Sequence, residues 1–137
     1  MTPFGEPASF RLEVEVIPPV ALDPESMGPV RLVQVTGGRV FGSLTGRILP
    51  GGADWQTLLP DGTIEIEARY LLELEDGARI ELQNRGRRAG PTGPFWSTIW
   101  LRCEAPQYRH LNGEQFLALG TRREGFVEIA AFALPAI

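Results

Sequence analysis

The sequence predicts an all-β chain, an antiparallel β-barrel of about seven to nine strands in a single domain, 1–137. Three observations carry that expectation. Apolar and polar residues alternate in most segments, the two-residue period of a strand with one buried face. Sixteen Gly and twelve Pro, about a fifth of the chain, punctuate those segments without any repeat period. Helical spacing is sustained nowhere for three turns, so a helical or α/β reading has no helices to build on.

The elements follow in order. Phe10, Leu12, Val14 and Val16 share one face of a first strand, with Arg11, Glu13 and Glu15 on the other, and Pro18 and Pro19 end it. The stretch 20–29 reads as a loop, and Val30 to Val35 begins a second strand. A strand is expected over Arg39 to Leu49. Over Thr63 to Glu75, Ile64, Ile66, Ala68, Tyr70, Leu72 and Leu74 occupy one face and Glu65, Glu67, Arg69, Leu71 and Glu73 the other. Asp76-Gly77 then supplies a tight hairpin turn into Ala78 to Gln83. Asp61-Gly62, Asn112-Gly113 and Glu124-Gly125 mark further turns, between strands at Trp96 to Cys103, Gln115 to Arg122 and Phe126 to Leu134. One helical turn fits at Gln107 to Leu111. So many strands in a small chain must close into a barrel or split into two sheets, because open edges invite association. The glycines Gly37, Gly38, Gly42 and Gly46 favour the closed form, since closure needs sharp bending.

Composition excludes several chemistries. All 13 basic residues are Arg. Without a lysine amine, Schiff-base chemistry and a Walker-type phosphate loop are excluded. One His and one Cys, His110 and Cys103, permit neither an internal disulfide nor a nitrogen and sulfur zinc site. A metal bound by carboxylates stays open, but nothing points to one; no metal and no cofactor is expected, and no Gly-rich dinucleotide fingerprint is present. A net charge of −4 argues against a nucleic-acid partner. No apolar run is long enough to span a membrane and no signal-peptide pattern opens the chain, so a cytoplasmic protein is expected.

From Gly38 onward the chain resembles a bacterial and fungal family known as domain of unknown function 3237, or uncharacterised protein family 0311. The resemblance rests on Gly-Arg-Val-Phe-Gly-Ser-Leu-Thr-Gly (38–46), Leu-Pro-Gly-Gly-Ala-Asp-Trp-Gln (49–56) and Glu-Ala-Arg-Tyr (67–70). It continues in Asp-Gly-Ala-Arg-Ile (76–80), Asn-Arg-Gly (84–86) and Leu-Asn-Gly (111–113). It implies a small lipocalin-like barrel with no general activity assigned. Two positions depart from the family pattern: Glu67 stands where a shorter acid is usual, and His110 where an aromatic is usual.

These residues supply candidate chemistry. Asp54, Trp55 and Gln56 follow a glycine pair that could present them at a ligand-binding mouth; the competing reading is that Asp54 satisfies loop amides and Trp55 plugs the barrel end. Glu67 and Arg69 share a strand face, where an acid and a guanidinium can move a proton and polarise a carbonyl; the competing reading is a solvated outer face. If the apolar face of that strand fills the barrel, the charged face lies outside and the cavity must be built at one end; if it packs against another sheet or subunit, Glu67 and Arg69 point into the lumen and become strong site candidates. Trp96 and Trp100 form an aromatic wall for a flat ligand, or cover a homodimer seam. His110 has the ordinary pKa for proton transfer near neutrality, though a lone His beside a turn is more often structural. Arg39, Asn84 and Asn112 match family positions. Ser43 and Ser97 lack a nucleophile motif.

The resulting expectation is a small-molecule-binding barrel acting as a cofactor-independent isomerase, cyclase or lyase on a carbonyl-bearing cyclic or aromatic compound. Asp54 or Glu67 is the base, Arg69 the anion partner, and Trp55 with Trp96 or Trp100 the walls. The alternative is a non-catalytic binding or homodimeric assembly module.

Overall fold

The computed structural model describes residues 7–23, 25 and 28–135. In chain order the elements are β1 (Phe10–Val16), β2 (Val20–Ala21), β3 (Val30–Gly42), β4 (Gly46–Ile48), β5 (Ala53–Leu58), β6 (Ile64–Leu74), β7 (Arg79–Arg88) and β8 (Phe95–Arg102). A 3-10 helix, η1 (Pro106–Gly113), precedes β9 (Gln115–Arg122) and β10 (Phe126–Ala133). Antiparallel pairing runs β3-β5-β6-β7-β8-β9-β10-β1, and β1 returns to β3, closing a barrel of eight strands.

The expected strands at Val30 to Val35 and Arg39 to Leu49 are divided differently. Strand β3 runs unbroken through Gly37 and Gly38, and the break comes after Gly42. Gly37 and Gly38 have φ of 156° and 131°, so the chain bends there while staying paired. The first half of β3 faces β5 and the second half faces β1 and β4, with a register shift at Glu15/Val16 where the bend occurs. At Gly38 the backbone of β1 comes so close that a Cβ would collide with the Glu13 carbonyl oxygen.

The alternating pattern of β6 decides which face is inside. Ile64, Ile66, Ala68, Tyr70, Leu72 and Leu74 are all buried, while Glu67, Arg69 and Leu71 are exposed. The apolar face fills the barrel and the charged face is its outer surface. Seven Arg-to-Glu ion pairs decorate that exterior, including Arg47 and Arg79 on Glu73 at 2.9 and 3.1 Å. Such exposed pairs contribute about 0–1 kcal/mol each, so the fold rests on the interior.

The interior is packed unevenly along the barrel axis. Toward the η1 end, Leu72, Leu74, Ile80, Leu82, Leu101 and Phe116 form a dense core, with Phe10 edge-on to Phe116 at 5.0 Å. Leu111 of η1 caps it. Asn112 fixes that cap by accepting the Cys103 N–H at 2.7 Å and donating to the Cys103 carbonyl at 2.9 Å, as a partner strand would. Asn112→Ala is expected to lower stability by about 2 kcal/mol, since two backbone groups lose their partner; chemical denaturation measures it. Asp76 ties the β6–β7 hairpin to the same cap, accepting the Ala78 N–H at 3.0 Å and the Tyr108 hydroxyl at 2.7 Å.

At the opposite end the core thins. Gly86, Ser97, Ala118 and Ala131 lie in one cross-strand row that runs on to Phe10 of the packed core, while the lumen lined by Val33, Ala68, Phe95 and Ile129 stays partly unfilled. Phe95 folds into part of that space over Gly120, where a Cβ would strike its ring. Among the described residues no helix is long and apolar enough to cross a membrane.

Candidate functional site

Asp54, Trp55 and Gln56 lie in strand β5, between β3 and β6, and not in a loop at the barrel mouth. The pleat turns Asp54 and Gln56 inward and leaves Trp55 outside. Asp54 stands in one row with Val33, Ala68 and Asn84, so the small Ala68 separates the acid from the amide of Asn84 across two strand spacings. Gln56, one row nearer the mouth, stands opposite Arg31 and Ile66. Arg88, beyond the Gly86 row, and Arg122 also turn inward.

These side chains line a lumen pocket walled by Val14, Val33, Val35, Ile66, Phe95 and Ile129. Its cavity volume is about 40 Å³, room for a water molecule or a small functional group; with the open mouth the void reaches about 480 Å³. A ligand larger than that cavity must keep most of its body at the mouth.

Asp54 accepts the Gln56 amide at 2.9 Å on one carboxylate oxygen and the Glu67 backbone N–H at 3.2 Å on the other. Removal from water dominates its titration and pushes its pKa up to about 6, against these two hydrogen bonds and the attraction of Arg88 and Arg122. Arg88 is 4% exposed and donates through Nε to the Gly90 carbonyl at 2.7 Å. Its guanidinium lies 6.0 Å from the Phe95 ring centre. Burial lowers its pKa, and the charges of Arg122 and Arg31 lower it further. Tyr70 is buried beside this group; desolvation first, then the Asp54 charge, raises its pKa and keeps the phenol protonated.

Two of the lining polar atoms, the Tyr70 hydroxyl and Asn84 Oδ1, are buried without a hydrogen-bond partner among the described residues, as is the inward Ser97 Oγ. Buried polar groups are almost always satisfied, so unpartnered ones around a cavity mark where a ligand or water completes the bonding. The arrangement offers a base with pKa near neutrality, guanidiniums that can stabilise developing negative charge, and a phenol and an amide to orient a substrate.

Of the other sequence candidates, Trp55, Glu67 and Arg69 come together in a shallow groove on the outside of the same wall. Glu67 meets Asp54 through its backbone N–H, and its carboxylate faces solvent. Arg69 reaches Glu81 at 3.6 Å. Trp96 and Trp100 are outward on β8, 49% and 39% exposed, and Trp100 shares a surface groove with Asn112. Arg39 is clamped to Glu13 on the exterior at 2.7 Å. His110 is exposed on η1, at the end remote from the lumen. Sequence reasoning missed Arg31, Tyr70, Arg88 and Arg122. Parity carried the signal: Tyr70 lies on the apolar face of β6, Arg88 on that of Ile80 and Leu82, and Arg122 on that of Phe116 and Ala118.

Comparison with known proteins places this barrel. The profile of a family described as proteins of unknown function, DUF3237, matches residues 6–134. The chain belongs to the DUF3237 family. A UPF0311 protein of Bradyrhizobium diazoefficiens is 45% identical over 65 residues, 47% of this chain and 43% of that protein. One from Clostridium acetobutylicum is 37% identical over 84 residues, 60% and 53% of the two chains. The matched segments span about half the length of these curated relatives.

Solved structures superpose over more of the chain. A protein of unknown function from Clostridium acetobutylicum gives a TM-score of 0.84 at 27% identity, covering 95% of this chain and 98% of its own. A β-barrel-like protein from Acinetobacter baumannii gives 0.82 at 32% identity, covering 95% and 94%. An enzyme from Penicillium herquei gives 0.62 at 23% identity, covering 96% and 98%, a likeness of fold alone.

Proposed function

We propose that this chain is a small-molecule-binding barrel that acts as a cofactor-independent isomerase, cyclase or lyase, using proton transfer on a carbonyl-bearing cyclic or aromatic compound. Asp54 is the base. Arg88 and Arg122 take the charge-stabilising role that the sequence suggested for Arg69, and Tyr70 and Asn84 orient the reacting oxygen. One observation carries this reading: a single lining carboxylate, its proton affinity raised into the neutral range, shares the lumen with inward arginines and with unpartnered polar atoms of Tyr70 and Asn84. An acid on the exterior, such as Glu67, would meet no enclosed substrate.

Metabolite capture from a cell extract, repeated with Asp54→Asn and Arg69→Ala, tests it. The native chain and Arg69→Ala are expected to retain and convert the same compound. Asp54→Asn is expected to retain it with conversion lost. Loss of conversion in Arg69→Ala with Asp54→Asn intact would move the site to the outer groove.

A non-catalytic homodimeric module is the second reading. Trp55, Trp96 and Trp100, 55%, 49% and 39% exposed, present aromatic surface across the outer face of β5 to β8 and favour assembly. A chain that captures no compound and sediments as a dimer would support it.

A further inference from the structure

The lumen arginines are set apart from the others. Arg39, Arg47, Arg69, Arg79, Arg87, Arg102 and Arg123 each pair with a glutamate on the exterior. Arg31, Arg88 and Arg122, like the exposed Arg11, Arg85 and Arg109, enter no ion pair among the described residues, but these three are half-buried or buried, where an unpaired charge is costly. They belong to the same end of the barrel: Arg31 near the start of β3 opposite Gln56, Arg88 at the end of β7, and Arg122 at the end of β9. Arg31 Nε is buried without a partner, and Arg88 engages a carbonyl only through Nε.

The one acid lining the cavity is Asp54, and its carboxylate is already engaged by Gln56 and the Glu67 amide. The chain as a whole is acidic, at −4, yet this end of its lumen carries three cations against one anion. The imbalance is therefore local and has the sign that attracts an anion. Below the cations the walls are valine, isoleucine and phenylalanine, with Asn84 and Tyr70 as the polar points.

Resting on the reading of the lumen as the ligand site, we propose that it selects a small organic acid. The carboxylate is held among Arg31, Arg88 and Arg122 at the rim, and the neutral part contacts the apolar walls. Guanidiniums suit this role because their planar fork matches a carboxylate in two parallel hydrogen bonds. The charged rim also explains why a substrate can be held although the enclosed volume takes only a small group: recognition comes from the anion, not from buried apolar area.

The test uses benzoate and hexanoate against their neutral amides, benzamide and hexanamide. Binding is followed by NMR through the Nε–H signals of Arg88 and Arg122 and the lumen-facing amides. The acids are expected to bind saturably at least about tenfold more tightly than the amides. Arg122→Met, on a half-buried residue, and Arg31→Met should each remove that preference, while Arg123→Met, which breaks an exterior ion pair, should leave it unchanged. Equal binding of acids and amides in the lumen would overturn the anion assignment and leave the lumen as the ligand site. No saturable shift of lumen signals with any probe up to about 10 mM would overturn both. Acid binding with the preference intact in Arg31→Met and Arg122→Met would overturn the role of those arginines.

Discussion

Asp54→Asn is expected to abolish the proposed turnover while making the protein more stable at neutral pH. Removing a general base from a reaction that depends on it costs about 10²- to 10⁴-fold in rate. The stability gain follows from the same burial that raises the proton affinity of Asp54. Its pKa in the fold is about 6, whereas in the unfolded chain it lies near the ordinary aspartate value of about 3.9. Between those values the unfolded state gives up its proton and the folded state keeps it, so stability is lost as pH rises from about 4 through 6 and is level above. At about 1.36 kcal/mol per pK unit the loss approaches 3 kcal/mol, and solvent access at the mouth reduces it to about 2. Asn mimics the protonated carboxyl and escapes the loss. Thermal melts at pH 8 should therefore place Asp54→Asn several degrees above the native chain, with the gap closing near pH 4. The proposed activity of the native chain should show kcat/KM rising with pH through about 6 and then levelling.

Gly38→Ala is expected to prevent the barrel from closing. The residue has φ of 131°, and an added Cβ would collide with the Glu13 carbonyl oxygen of the paired strand β1, which is backbone and cannot swing away. Strain and overlap together should cost upward of about 3 kcal/mol, a large share of the roughly 5–15 kcal/mol that holds an ordinary domain folded. Gly77→Ala is the matched control. Gly77 also has positive φ, 89°, but an added Cβ there meets nothing within 4 Å. Its cost should be the conformational penalty alone, about 1 kcal/mol. Comparable losses in the two variants, measured by denaturant unfolding, would show that the β1–β3 contact does not limit closure.

The exterior and the packed end of the barrel were legible in the sequence because there the pleat rule and the hydrophobic rule agree. In β6 every second residue is apolar and buried, and the Asp76-Gly77 hairpin falls where the pattern ends. Strand β5 escaped notice because at the site the two rules conflict. Asp54 and Gln56 face inward and Trp55 outward, the reverse of ordinary patterning, directly after two glycines that suggest a loop. The same inversion hid Arg88 and Arg122, whose charges argue for solvent while their strand parity points into the lumen. A polar residue on the apolar parity of a strand is costly unless paired or used, and that conflict was the available signal for the site. Asp54, Gln56 and Asn84 were found through the family motifs, whereas the partners of Asp54 depend on pairing between strands distant in sequence.

The central claim is that the lumen holds an acid poised to exchange a proton near neutral pH, and the carboxyl carbon of Asp54, followed by 13C NMR from pH 3 to 9, tests it directly. A midpoint near 6 is expected for Asp54. A midpoint for Asp54 at the ordinary value of about 4 would show a solvated or fully ion-paired carboxylate and would contradict the assignment of the lumen as the reactive site.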